Sequence, residues 1–137
     1  MPTLVELQAR FMQHRVGIAD QHHGQRLPDG TIQWGGFEVD VLHRVETVAE
    51  AHGLWFDCPL CFAKNGGPIG THGVLVWFVG KPVPDRLGKN KDGVTVRWNV
   101  SGTGMNDLVL TPSIQLQGGC NWHGYVGNQG VPPGSAA

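Results

Sequence analysis

Residues 54–62 read LWFDCPLCF, an apolar run ending in two cysteines, Cys58 and Cys61, separated by two residues. A short pair of this spacing lets one turn present two thiolates to one ion without strain. The remaining cysteine, Cys120, opens a similar pair, CNWH, with His123. Zinc takes four such ligands in a tetrahedron, so Cys58, Cys61, Cys120 and His123 are the expected set. His72, in the glycine loop GTHG, is the rival for the fourth place, because a histidine in a flexible loop reaches a metal easily. The two pairs stand about sixty residues apart. One ion held by both would tie two distant hairpins together and close a long loop, as in a zinc ribbon with an insertion. The competing reading makes Cys58 and Cys61 buried hydrophobes or a redox pair. A redox CxxC opens a helix after a strand within a βαβ unit, and the glycine-rich continuation KNGGPIGTHG opposes that.

At 137 residues the chain is expected to form a single domain over 1–137, small enough for a metal staple to matter. Ten Lys+Arg against 11 Asp+Glu leave a formal charge of -1, without the electrostatic footprint a phosphate backbone requires, so nucleic acid is not an expected partner. Twenty-one glycines and nine prolines demand many turns and leave no room for long helices. The N-terminal MPTLVELQARFMQHRV is interrupted by Glu6, Arg10 and Arg15, so neither a secretory signal nor a membrane span is expected, and the cytoplasm is the expected location. An odd number of cysteines in such a protein points to metal or redox chemistry over a disulfide framework.

Along the chain, Thr3 and Glu6 give a capping-box pattern, and Leu4, Leu7 and Phe11 share a helical face, which predicts a helix over 3–16. Residues 17–36, with the turn signal PDG, read as a loop or weak hairpin. The stretch FEVDVLHRVETVAEAHG fits helix or strand, with helix favoured for its second half up to Gly53. VLVWFVG reads as a strand buried on both faces, KPVPDRLGKNKDG as an exposed connection, and VTVRWNVSG as a half-buried strand. The last residues, 131–137, look like a flexible tail. The fold class expected is α+β and mostly β: a small zinc-stapled antiparallel sheet over 54–130 with one or two short helices near the N-terminus.

The order of CPLC, Trp98, LTPSI at 110–114 and a cysteine followed by WHGYVGN resembles the BubE-like family of small bacterial and phage proteins, peptidases encoded with bacterial ubiquitin-like conjugation systems. The similarity covers roughly residues 54–130, and PSI followed by CxWHG is its most specific part. The chain departs from the family in its looser CPLC and its GKNKDG insertion. The resemblance implies a serine peptidase or esterase acting on a protein substrate, a ubiquitin-like precursor or conjugate, with Ser113 as the matched serine. A serine hydroxyl needs a base to take its proton and a third group to orient that base. His123, ten residues on, and His72 are the candidate bases, and Asp107 and Asp57 the nearest acidic orienters. One imidazole cannot both ligate a metal through its working nitrogen and serve Ser113, so the roles of His123 and His72 exclude each other.

A non-catalytic reading stands beside this. Ser113 could be a strand residue bonded to nearby backbone, in a zinc-ribbon-like module whose sheet and tryptophans (Trp34, Trp55, Trp77, Trp98 and Trp122) dock a protein partner. Trp122, beside the metal ligands, could equally line a peptide groove. His14, His22 and His23 form a second histidine group, read as solvated more than metal-bound. The sequence does not set the oligomeric state.

Overall fold

The computed structural model describes residues 2–20, 25–33, 36–117, 119–127, 130–131 and 135–136. Strands account for 39% of the described residues and helix for 6%, so the mostly-β expectation holds. His22, His23 and Trp34 lie outside the described residues.

The capping box at the N-terminus forms: the Thr3 and Glu6 side chains each accept a hydrogen bond from the other's backbone N–H. No helix follows it. Gln8 adopts φ 56°, which a helix cannot contain, and the chain leaves the turn as strand β1 (Arg10–Asp20). Leu4, Leu7 and Phe11 are all buried, so a single turn followed by a strand satisfies the same apolar positions that predicted a helix over 3–16.

After β1 come the two-residue strands β2 (Gln25–Arg26) and β3 (Ile32–Gln33), then β4 (Gly36–Val45) and β5 (Gly53–Asp57). The PDG signal makes the β2–β3 turn, with Gly30 at φ 89° and the Asp29 carboxylate accepting from the Thr31 N–H and hydroxyl. The helix expected in the second half of 37–53 is absent. Its β-branched residues pair β4 against β1 up to Phe11↔Val45, and Thr47–Glu50 closes only a turn before β5.

The one α-helix among the described residues, α1 (Pro59–Asn65), lies mid-chain instead of near the N-terminus. Strands β6 (Gly73–Trp77), β7 (Asn99–Ser101), β8 (Val109–Thr111), β9 (Ile114–Gln115), β10 (Trp122–Gly124) and β11 (Ser135–Ala136) complete the chain. The main sheet runs β4-β1-β5-β6, a second runs β11-β10-β9, and β7 and β8 pair with each other. All these strand pairings are antiparallel. The segment expected to be a loose tail is in part tied down: Val131 is buried, its N–H bonds the Pro2 carbonyl, and β11 pairs with β10.

The core is shared by the main sheet, the β7–β8 pair and the β9–β10 region. Leu54, Phe56, Val74, Val76 and Phe78 from one side meet Leu108, Leu110, Ile114, Trp122 and Val126 from the other. Phe56 packs edge-on against Trp122 with ring centroids 5.9 Å apart. Phe56 stands two residues before Cys58 and Trp122 two after Cys120, so this aromatic contact draws the two distant cysteine segments together.

Candidate metal centre and serine–histidine pair

Strand β5 runs directly into Cys58, which occupies the N-cap position of α1 with Pro59 behind it at the first helical position. Cys61 follows one helical turn later. The β5–β6 register ends at Asp57↔Gly73, and the Cys58 N–H bonds the His72 carbonyl at 2.9 Å, so backbone pairing sets Cys58 and His72 opposite each other. Cys120 arrives from the second sheet just before β10. The donor atoms of Cys58, Cys61, His72 and Cys120 all lie within 4.8 Å of one another.

That arrangement fits a four-coordinate ion. Metal–sulfur bonds near 2.3 Å in a tetrahedron put ligand atoms about 3.5–3.8 Å apart. The Cys58 and Cys120 sulfurs are 3.6 Å apart, and His72 Nε2 is 3.2 Å from the Cys120 sulfur. A disulfide would need about 2.05 Å, and all three cysteines are free. His72 Nδ1 lies 3.2 Å from the Gly73 carbonyl, a contact that orients the ring with Nε2 toward the sulfurs.

Burial pushes the Cys58 thiol up to about 12, despite nearby N–H groups of Cys61 and Leu60. At Cys120 burial pulls the same way but is outweighed by His72, Cys58, the Trp122 N–H and Cys61, which bring the thiol down to about 7. Three thiols and an imidazole converging here could hold a metal ion.

The fourth donor is therefore His72, where the pairwise spacing of CNWH favoured His123. Strand alternation is the reason. Trp122 points into the core and is fully buried, so His123, the next residue of β10, must face outward. The expectation that a hairpin turn would carry CxxC also needs correction: the motif opens a helix after a strand. The flanking strands β5 and β6 are nevertheless antiparallel, and a third cysteine and a histidine meet the pair, neither of which belongs to a βαβ redox site.

His123 faces a different partner. It sits opposite Gln115 in the β9–β10 register, and Ser113 lies two residues before Gln115 on the same face. This makes Ser113 and His123 diagonal cross-strand neighbours. Ser113 Oγ and His123 Nε2 are 3.1 Å apart, and both residues are exposed. Ser113 follows the cis Thr111–Pro112 bond, and its carbonyl accepts a hydrogen bond from the Trp98 indole at 3.3 Å.

Neither acidic candidate reaches the imidazole. The Asp107 carboxylate closes its own turn by accepting from the N–H groups of Thr103 and Gly104 and from the Thr103 hydroxyl, contacts that lower its pKa. Asp57 is buried with Oδ2 unpartnered, and desolvation raises its pKa against the attraction of Arg10. Among the described residues no carboxylate is hydrogen-bonded to His123.

Comparison with protein-family models, curated proteins and solved structures finds no match to this chain, so no relative lends the site a function.

Ser113 also lines a cleft of about 500 Å³, whose walls include Trp77, Trp98, Lys89, Lys91 and Arg97. Of the two readings the sequence leaves open for Trp122, core or groove, the structure has core; Trp77 and Trp98 line the cleft instead, whose walls come from segments spread over residues 75–117 and so leave no local signal. No helix among the described residues is long and apolar enough to cross a membrane.

Proposed function

We propose that this protein is a zinc-stapled serine hydrolase of the BubE-like kind, acting on peptide or ester bonds of ubiquitin-like precursors or conjugates. The observation that carries the reading is the 3.1 Å approach of Ser113 Oγ to His123 Nε2 on an exposed strand face beside a cleft. His72, by taking the fourth place among the cysteines, leaves His123 free to act as base, which removes the conflict between the two roles. A Cys3His donor set is soft and closed, the combination that suits structural zinc. The ion's part here is to hold β5, α1 and the entry to β10 together.

In the reaction, Ser113 Oγ attacks the carbonyl carbon while its proton passes to His123 Nε2. The tetrahedral intermediate collapses, and the leaving amine or alcohol departs with that proton. Water then attacks the acyl-serine with His123 again as base, and the acid is released. A base without a carboxylate behind it makes a slower hydrolase than a full triad.

Labelling with a fluorophosphonate probe tests this. The wild-type protein should be labelled covalently, Ser113→Ala should not, and His123→Gln should label at least about a hundredfold more slowly. A folded wild type that resists the probe sinks the hydrolase reading in favour of a non-catalytic binding module.

A further inference from the structure

The cleft beside Ser113 carries no acidic residue in its lining, although acidic residues outnumber basic ones in the chain as a whole. Its charged walls are Lys89, Lys91 and Arg97; its apolar ones include Trp77, Trp98 and Leu116. Arg97 is committed to the scaffold, donating from Nη1 to the Leu87 and Val96 carbonyls and from Nη2 to that of Pro84. Lys89 and Lys91 are exposed and make no ion pair among the described residues.

Their backbone is nonetheless fixed. The Asn90 side chain accepts from the N–H groups of Asp92 and Val94, Gly93 takes φ 77°, and the Lys91 N–H donates to Gln117 Oε1 across the cleft wall. Two ammonium groups without an ion pair among the described residues are thus presented from a pinned turn in the cleft that Ser113 also lines, at low ordering cost on binding.

Resting on the hydrolase reading above, we propose that this cleft is the substrate's docking subsite and that it selects an acidic peptide segment beside the scissile bond. Carboxylate side chains meet Lys89 and Lys91 while the apolar parts of the segment lie on Trp77 and Trp98. The same walls could in principle stack and neutralise single-stranded nucleic acid. Two free lysines are a small footprint for a phosphate backbone, and the acyl chemistry proposed at Ser113 calls for a carbonyl substrate, which favours the peptide.

Binding can be measured apart from catalysis, using the Ser113→Ala protein and fluorescence anisotropy. The probe is a labelled peptide with several glutamates, compared with the same peptide carrying glutamine or lysine in their place. At low salt the glutamate peptide should bind roughly tenfold more tightly than the glutamine one, and the margin should shrink as salt screens it. Lys89→Glu with Lys91→Glu should reverse the order, so that the lysine peptide binds best. Arg44→Glu, on β4 outside the cleft lining, should leave the order as it was. Equal affinity for the three peptides overturns the proposal, as does tighter binding of a single-stranded oligonucleotide of matched charge. These outcomes do not depend on probe labelling of the wild type, so the docking proposal and the hydrolase reading fail separately.

Discussion

Exchanging the two histidines' roles is the sharpest test of the metal centre. Cys58 and Cys120 are 62 residues apart in the chain. Cross-linking a loop of that length withdraws about 4 kcal/mol of entropy from the unfolded state. Domains of this size are stable by about 5–15 kcal/mol, so a metal staple here would be a large share. At about 2–4 °C per kcal/mol, stripping the ion should lower Tm by about 8–16 °C.

His72→Ala leaves three thiolates and should reduce metal affinity by more than the 10–100-fold that loss of a supporting hydrogen bond alone costs. Its Tm at limiting metal should fall most of the way to that of the stripped wild type. His123→Ala removes an exposed, outward-facing side chain and should change stability by no more than about 0.5 kcal/mol, with metal content unchanged. Scanning calorimetry under reducing conditions, with and without chelator, alongside metal analysis, reads all three proteins. If His123→Ala loses the ion and His72→Ala keeps it, the ligand set is wrong. If the metal-free wild type melts at the temperature of the loaded one, the ion is no staple.

Other expectations follow from the same contacts. Asp40 bridges Arg86 and His14, and those two partners, Arg86 first, hold its carboxyl well below the usual range. A depressed carboxylate contributes stability above its unfolded pKa and loses it as pH falls through the folded one. The Tm gap between wild type and Asp40→Asn should therefore be full at neutral pH and close in the acid range below about pH 4. At Gly73 any side chain collides with the Trp55 indole, over which the Arg10 guanidinium lies 4.9 Å from the ring centroid. Gly73→Ala should cost about 1–3 kcal/mol by urea denaturation, and much less in a Trp55→Ala background, where the obstacle is gone. Trp122→Ala removes the partner of Phe56 and should cost about 3–5 kcal/mol; a change under about 1 kcal/mol would contradict its place in the core.

What could be read from the sequence follows the range of the forces involved. Two thiolates separated by a short spacer are a local chemical statement, and Cys58, Cys61 and Cys120 do converge. The fourth ligand is decided by which face of β10 a side chain occupies, and that alternation is set by Trp122 finding Phe56 far away in the sequence. The helix predicted over 3–16 failed for a similar reason. Its cap and apolar spacing are real, but Gln8 turns the chain out and pairing with β4 makes β1 a strand. Helix α1 is too short for any periodic signal, and its only local marks are Pro59 at the start and Gly66, at φ 69°, after the end. Ser113 and His123 were singled out as a candidate pair, but only the diagonal register of β9 and β10 places them in reach.

That register also makes the metal centre and the proposed nucleophile interdependent. Among the described residues strands β9 and β10 share two residue pairs, Gln115↔His123 and Ile114↔Gly124, and one further bond from the Leu116 N–H to the Trp122 carbonyl, a short ladder to hold a side-chain geometry by itself. Entry to β10 passes through Gly119 at φ 60° and Asn121 at φ 52°, a bent path with Cys120 between them. Releasing Cys120 from an ion frees that bend while leaving the larger β4-β1-β5-β6 sheet paired. Fluorophosphonate labelling should therefore fall after chelation even at temperatures where the far-ultraviolet circular dichroism of the metal-free chain is unchanged, and return when zinc is restored. Undiminished labelling of metal-free protein under those conditions would mean that the Phe56–Trp122 contact alone positions His123.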